Sequence, residues 1–90
     1  MPTISHFYGI IIVMYLRNKE HNPPHIHAKY NNSEALIDIQ EASVIKGSLP
    51  SRQLKLVMAW VLLYQDDLMQ NWELARDGKE PNKIPPLERK

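Results

Sequence analysis

The chain has 90 residues, 43% apolar and 23% charged, which is enough for one packed domain and too little for two. Eleven basic against ten acidic residues leave a formal charge of +1, which excludes a nucleic-acid binder that works by bulk positive charge. There is no cysteine, so disulfides and thiolate metal sites are excluded, as suits a reducing compartment.

In chain order, Gly9 precedes Ile10 to Leu16, a run rich in β-branched residues and apolar at both parities. It predicts a buried strand covered on both faces. The run is too short to span a membrane, Arg17 closes it, and no basic export leader stands before it, which predicts a cytoplasmic protein. Asn18 to Pro24 is polar and ends in two prolines, so it predicts a loop.

Two short alternating segments follow. In the first, Ile26, Ala28 and Tyr30 oppose His25, His27 and Lys29; in the second, Ala35, Ile37 and Ile39 oppose Glu34, Leu36 and Asp38. Asn31-Asn32 between them suits a type I′ hairpin, because asparagine tolerates the left-handed region. A two-residue turn sets His25 opposite Asp38 and Lys29 opposite Glu34; a four-residue loop would set His27 opposite Asp38. Either register gives Asp38 a histidine neighbour on the polar face.

Ser43 to Lys46 predicts a short edge strand ended by Gly47, with Ser48 as helix N-cap and Pro50 in the first turn. Leu54, Val57, Val61, Leu68, Trp72 and Ala75 then recur at helical spacing, and Gly78 stands at the C′ position. Asp66-Asp67 marks a kink or a restart, giving one long helix or two in series. The expected fold is α+β: a small antiparallel sheet of three or four strands against this helical half, forming one domain over residues 1–78. Residues 79–90 are expected to wrap the surface as a proline-containing extended tail, its Lys79, Lys83, Arg89 and Lys90 solvated.

A second helical stripe, Leu56, Trp60 and Leu63, leaves two readings. The helix is packed on two sides, or it offers this face to a partner or a second copy, with Trp60 as the anchor.

The chemistry concentrates in His21-Asn22-Pro23-Pro24-His25-Ile26-His27, where three of the four histidines lie within seven positions. Histidine alone gives and takes protons near neutral pH without perturbation. One reading is a metal site, His21, His25 and His27 with Asp38 as a fourth ligand, although no paired motif fixes that geometry. Another is metal-independent acid–base catalysis at an RNA phosphodiester, with His25 and His27 as acid and base and Asp38 orienting one of them. Arg17, His21, Lys29 and Tyr30 would then bind substrate and steady charge on the phosphorus. The plainest reading is a polar strand face whose histidine–aspartate pair only fixes register, at about 0.2–1 kcal/mol. His6, isolated before Phe7, reads as structural.

Pro2-Thr3-Ile4-Ser5, Phe7-Tyr8-Gly9-Ile10, the His21-to-Tyr30 block and Asn71-Trp72-Glu73-Leu74-Ala75-Arg76 together resemble a bacterial family, the domain-of-unknown-function family numbered 4160. The similarity extends through Gly78, Pro81, Lys83-Ile84 and Pro86-Leu87, and His21, Pro23, Pro24, His25, His27 and Ala28 match its H-x-P-P-H-x-H-A block. Genes of this family tend to neighbour a gene for the domain of unknown function numbered 2442. The two are described as a type II toxin–antitoxin pair with this kind of chain as the toxin. The resemblance implies a small antitoxin protein as partner and action on RNA or translation; it assigns no catalytic residue. The resulting expectation is a toxin that cleaves RNA with His25, His27 and Asp38 and needs no cofactor. The alternative is a non-catalytic module that binds a small protein through its helical face.

Overall fold

The computed structural model describes residues 2–16 and 23–88. Five strands form one antiparallel sheet in sequence order, β1 (Thr3–Phe7), β2 (Ile10–Val13), β3 (His25–Tyr30), β4 (Ser33–Asp38) and β5 (Ser43–Gly47). Two consecutive helices follow, α1 (Ser51–Leu63) and α2 (Gln65–Arg76). The architecture is α+β, with more strands than the three or four expected. The additional one is β1, whose pairing with β2 is shifted between Thr3 and Ser5. That bulge breaks the period-two pattern by which a strand is recognised.

Tyr8 and Gly9, with φ of 50° and 77°, turn β1 into β2, and Phe7 pairs with Ile10. Two positive φ values in a two-residue loop are the type I′ pattern, whose twist matches the strands it joins. The β3–β4 hairpin also turns on two residues, Asn31 and Asn32, of which only Asn31 has positive φ (52°).

One sheet face carries Ile10, Ile12, Ile26, Ala28, Ala35 and Ile37, all buried in a cluster with Val57, Trp60, Val61, Leu68, Trp72 and Ala75 of the helices. The other face is not covered throughout. Ile11, opposite Lys29, is 38% exposed, so β2 is not the doubly covered strand expected of its composition.

Pro50, not Ser48, is the N-cap of α1, and no side chain caps the helix. Ser48 is still tied to the sheet, donating its N–H to the Glu34 carbonyl at 3.1 Å. The helical stretch breaks at Tyr64 (φ −120°, ψ 27°), just ahead of the acidic pair. Asp66 and Asp67 lie in the first turn of α2, where carboxylates favour the helix dipole. At its end Lys79 donates to the Leu74 carbonyl and Gly78 (φ 79°) to that of Ala75, a Schellman cap.

Residues 79–88 hold no helix or strand, yet they are bonded into the fold. Asn71, 1% exposed, donates to the Asn82 carbonyl and accepts from its N–H, both at 2.9 Å. Ile84 donates to the Ile4 carbonyl of β1, and Trp60 Nε1 donates to the Pro85 carbonyl. Replacing Asn71 with Ala strands both backbone groups of Asn82, so Asn71→Ala should lose about 2 kcal/mol or more of stability. Urea unfolding checks this: the midpoint should fall, whereas an unchanged midpoint would mean that the pair does not hold the segment.

Candidate functional site

The β3–β4 register decides which polar groups meet. His25 lies opposite Asp38, His27 opposite Leu36, and Lys29 opposite Glu34, the arrangement expected of a two-residue turn. Residues diagonal across such a pair are within reach of long side chains. Accordingly His27 Nδ1 bonds the Glu34 carboxylate at 2.9 Å, two pairs along the hairpin. A carboxylate accepts, so Nδ1 carries the proton and Nε2 of the neutral ring is left with its lone pair. Among the described residues no hydrogen-bond partner meets that Nε2.

Tyr15 follows β2 and sets its ring edge-on to His27, 4.6 Å between centroids at 82°. Lys29 Nζ donates to the Tyr15 hydroxyl at 3.1 Å. That bond, ahead of all other influences, raises the Lys29 pKa above its ordinary value, and the charge of Glu34 adds to it. Lys29 is therefore cationic throughout the neutral range.

The expected catalytic set divides. His27 lines an open groove with Glu34, Leu36, Lys46 and Gly47, about 350 Å³ in volume. His27's side chain is 13% exposed and that of Glu34 44%. His25 is instead only 3% exposed, donating Nδ1 to the Pro23 carbonyl at 2.9 Å, with its ring 5.3 Å from His27 and 5.1 Å from Trp72. So enclosed, it packs beside His27 and does not line the groove. Asp38 lies opposite His25 but uses Oδ1 to accept the N–H groups of Gln40 and Glu41, each at 2.9 Å. Aspartate commonly closes a turn in this way. The residue that orients a histidine is Glu34.

Of the expected substrate-binding residues, Lys29 shares the groove's sheet face. Tyr30 has the opposite parity and packs beside the core, its ring against Gly9. Arg17 and His21 lie outside the described residues, and with His21 goes the three-histidine metal array. Trp60 cannot anchor a partner, because it is 0% exposed, with its ring 5.3 Å from that of Phe7. A single small core takes up the whole indole. Leu56 is partly buried against the core, and of that stripe only Leu63 is exposed, at 69%.

Sequence reading missed Tyr15, Glu34 and Lys46. Glu34 was legible as the diagonal neighbour of His27 once the short turn was chosen. Tyr15 shares the parity of Val13, which pairs with His27. Lys46 was not legible, since the β4–β5 pairing shifts between Leu36 and Ile37. Gly47 fixes that pairing: its φ is 79°, and a Cβ there would stand 2.2 Å from the Glu34 carbonyl oxygen.

The division of labour between Asp38 and Glu34 is testable. Asp38→Ala removes the acceptor of two backbone N–H groups and should lower stability by about 1–3 kcal/mol, leaving the NMR signals of the His27 ring in place. Unchanged stability with a displaced His27 spectrum would return Asp38 to the role of orienting group.

No helix among the described residues is long and apolar enough to cross a membrane. No curated protein and no solved structure matches the chain. The model of one family, the domain of unknown function DUF4160, matches residues 9–73, which span all of the groove and both helices up to Glu73. The chain belongs to the DUF4160 family.

Proposed function

We propose that this chain is the toxin of a two-gene toxin–antitoxin pair and cleaves RNA without a metal, held in check by a small antitoxin-like protein. The observation that supports the reading is the His27–Glu34 pair on the open groove: an imidazole fixed by a carboxylate through Nδ1, with Nε2 left to take a proton. Nε2 removes the proton of a ribose 2′-hydroxyl, and the 2′-oxygen attacks the adjacent phosphorus. The bond from phosphorus to the 5′-oxygen breaks, the imidazolium returns its proton to that oxygen, and a 2′,3′-cyclic phosphate remains. General acid–base transfer of this kind contributes roughly 10²–10⁴-fold in rate. Glu34 holds the ring in place through Nδ1, and Lys29 and Lys46 offset charge on the phosphoryl oxygens.

One specific observation favours a second reading, a non-catalytic interaction module. Leu62 and Leu63 are 60% and 69% exposed, and Leu63 borders a depression shared with Tyr64, Pro86, Leu87 and Glu88.

The two readings separate on induction in a bacterial host at matched soluble expression. Wild type should arrest growth and leave RNA ends bearing 2′,3′-cyclic phosphate, while folded His27→Ala should do neither. Arrest by His27→Ala at wild-type strength would remove the catalytic reading and favour the exposed leucines.

A further inference from the structure

The groove beside His27 has a charge that the fold leaves unused. His27 is paired with Glu34, and Lys29 is bonded to Tyr15. Lys46 lies on the edge strand β5, is exposed, and among the described residues meets neither a carboxylate nor another hydrogen-bond partner. It pairs with Leu36, which pairs in turn with His27, so Lys46, Leu36 and His27 stand in one line across three strands. Neighbouring strands lie about 4.8 Å apart, which puts Lys46 and His27 roughly 10 Å apart at the backbone, a span the lysine stem can close around a small anion.

We infer that this groove is a phosphate-ester site in which Lys46 is the anion ligand. The inference rests on the preceding reading only for which ester is bound, not for the binding of an anion.

Three features support it. The groove and its border set two ammonium groups, Lys46 and Lys29, against one carboxylate, Glu34, and that carboxylate is held on His27, so the balance favours an anion. Lysine is a flexible point charge of the kind that binds phosphate, and Lys46 has no internal partner to give up first. Finally, about 350 Å³ lies near the lower end of the roughly 300–1,000 Å³ typical of small-molecule sites, enough for one nucleotide unit. The part-buried side chain of Leu36 gives it an apolar floor on which a sugar or base can rest.

NMR titration of the whole chain tests this with four probes: inorganic phosphate, uridine 3′-monophosphate, a short single-stranded oligoribonucleotide and its deoxy counterpart. Saturable shifts are expected at His27, Glu34, Lys46 and Gly47. Lys46→Gln should weaken the mononucleotide about two- to fivefold, and Lys46→Arg should restore most of it, in keeping with one exposed charge. Tighter binding of the oligoribonucleotide than of phosphate or mononucleotide supports a strand as the source of the ester; equal binding supports a free phosphate ester. Absence of saturable shifts with every probe, or a Lys46→Gln variant that binds like wild type, would overturn the inference. Binding through Lys46 by a wild-type chain that cleaves no RNA would overturn the catalytic reading alone and leave the anion site standing.

Discussion

Everything distinctive about this molecule depends on the pairing of β3 with β4 around a two-residue turn. Tyr30 pairs with Ser33, and the ladder runs from there to His25 and Asp38 without a shift. A slip of one residue would send Ile26 and Ala28 to the groove face and His27 into the core. With the register as it is, the two faces of the sheet differ in what they carry. Apolar side chains meet the helices, and the opposite face gathers His27, Glu34, Lys29 and the pocket edge formed by Lys46. The short distance between Nδ1 and the Glu34 carboxylate follows from that ladder, since the diagonal neighbour is the acidic residue that a long side chain reaches.

The two sides of the sheet then have different fates. On the helical side, closure is complete enough to enclose Trp60 and to give its indole N–H a carbonyl partner on the returning C-terminal segment. That segment also bonds β1, so one outer edge of the sheet is engaged by the chain itself through Ile4. At the other edge all five residues of β5 are exposed, and the candidate groove opens beside them. An edge strand with free backbone groups is ordinarily guarded by charge or a bulge, and β5 has both, in Lys46 and in the shifted pairing before Ile37. Lys46 therefore has a structural use at the edge as well as a place in the groove.

Much of this was legible beforehand where the signal is local. The hairpin follows from alternation on either side of Asn31-Asn32, which left two registers open; the structure takes the one with the two-residue turn. The Schellman end of α2 follows from Gly78, and the helical half from periodicity, which left one long helix or two in series open near Asp66 until the break at Tyr64 is seen. What failed did so for physical reasons. A bulge conceals β1 by offsetting its alternation, and a run of isoleucines does not reveal which of its faces will be left to water, as Ile11 is. The second stripe of α1 left both a packed face and an interface open, because periodicity cannot count how many sheet residues are available to cover a tryptophan. At the candidate site, histidine density suggested Asp38 as the orienting carboxylate: Asp38 is adjacent to His25 in the ladder, yet it accepts from backbone N–H groups in its own turn. Competition between local backbone donors and a cross-strand ring is invisible until the turn is built.

Glu34 fixes the His27 ring with Nδ1 protonated and Nε2 available. Long-range proton–nitrogen correlation spectra of the His27 ring, on the whole chain with His27 neutral, test it most directly. The Nδ1–H tautomer is expected in the wild type, with loss of that preference in Glu34→Ala. A wild-type ring protonated at Nε2 would contradict it, because the nitrogen required for proton transfer in the groove would then have no lone pair to offer.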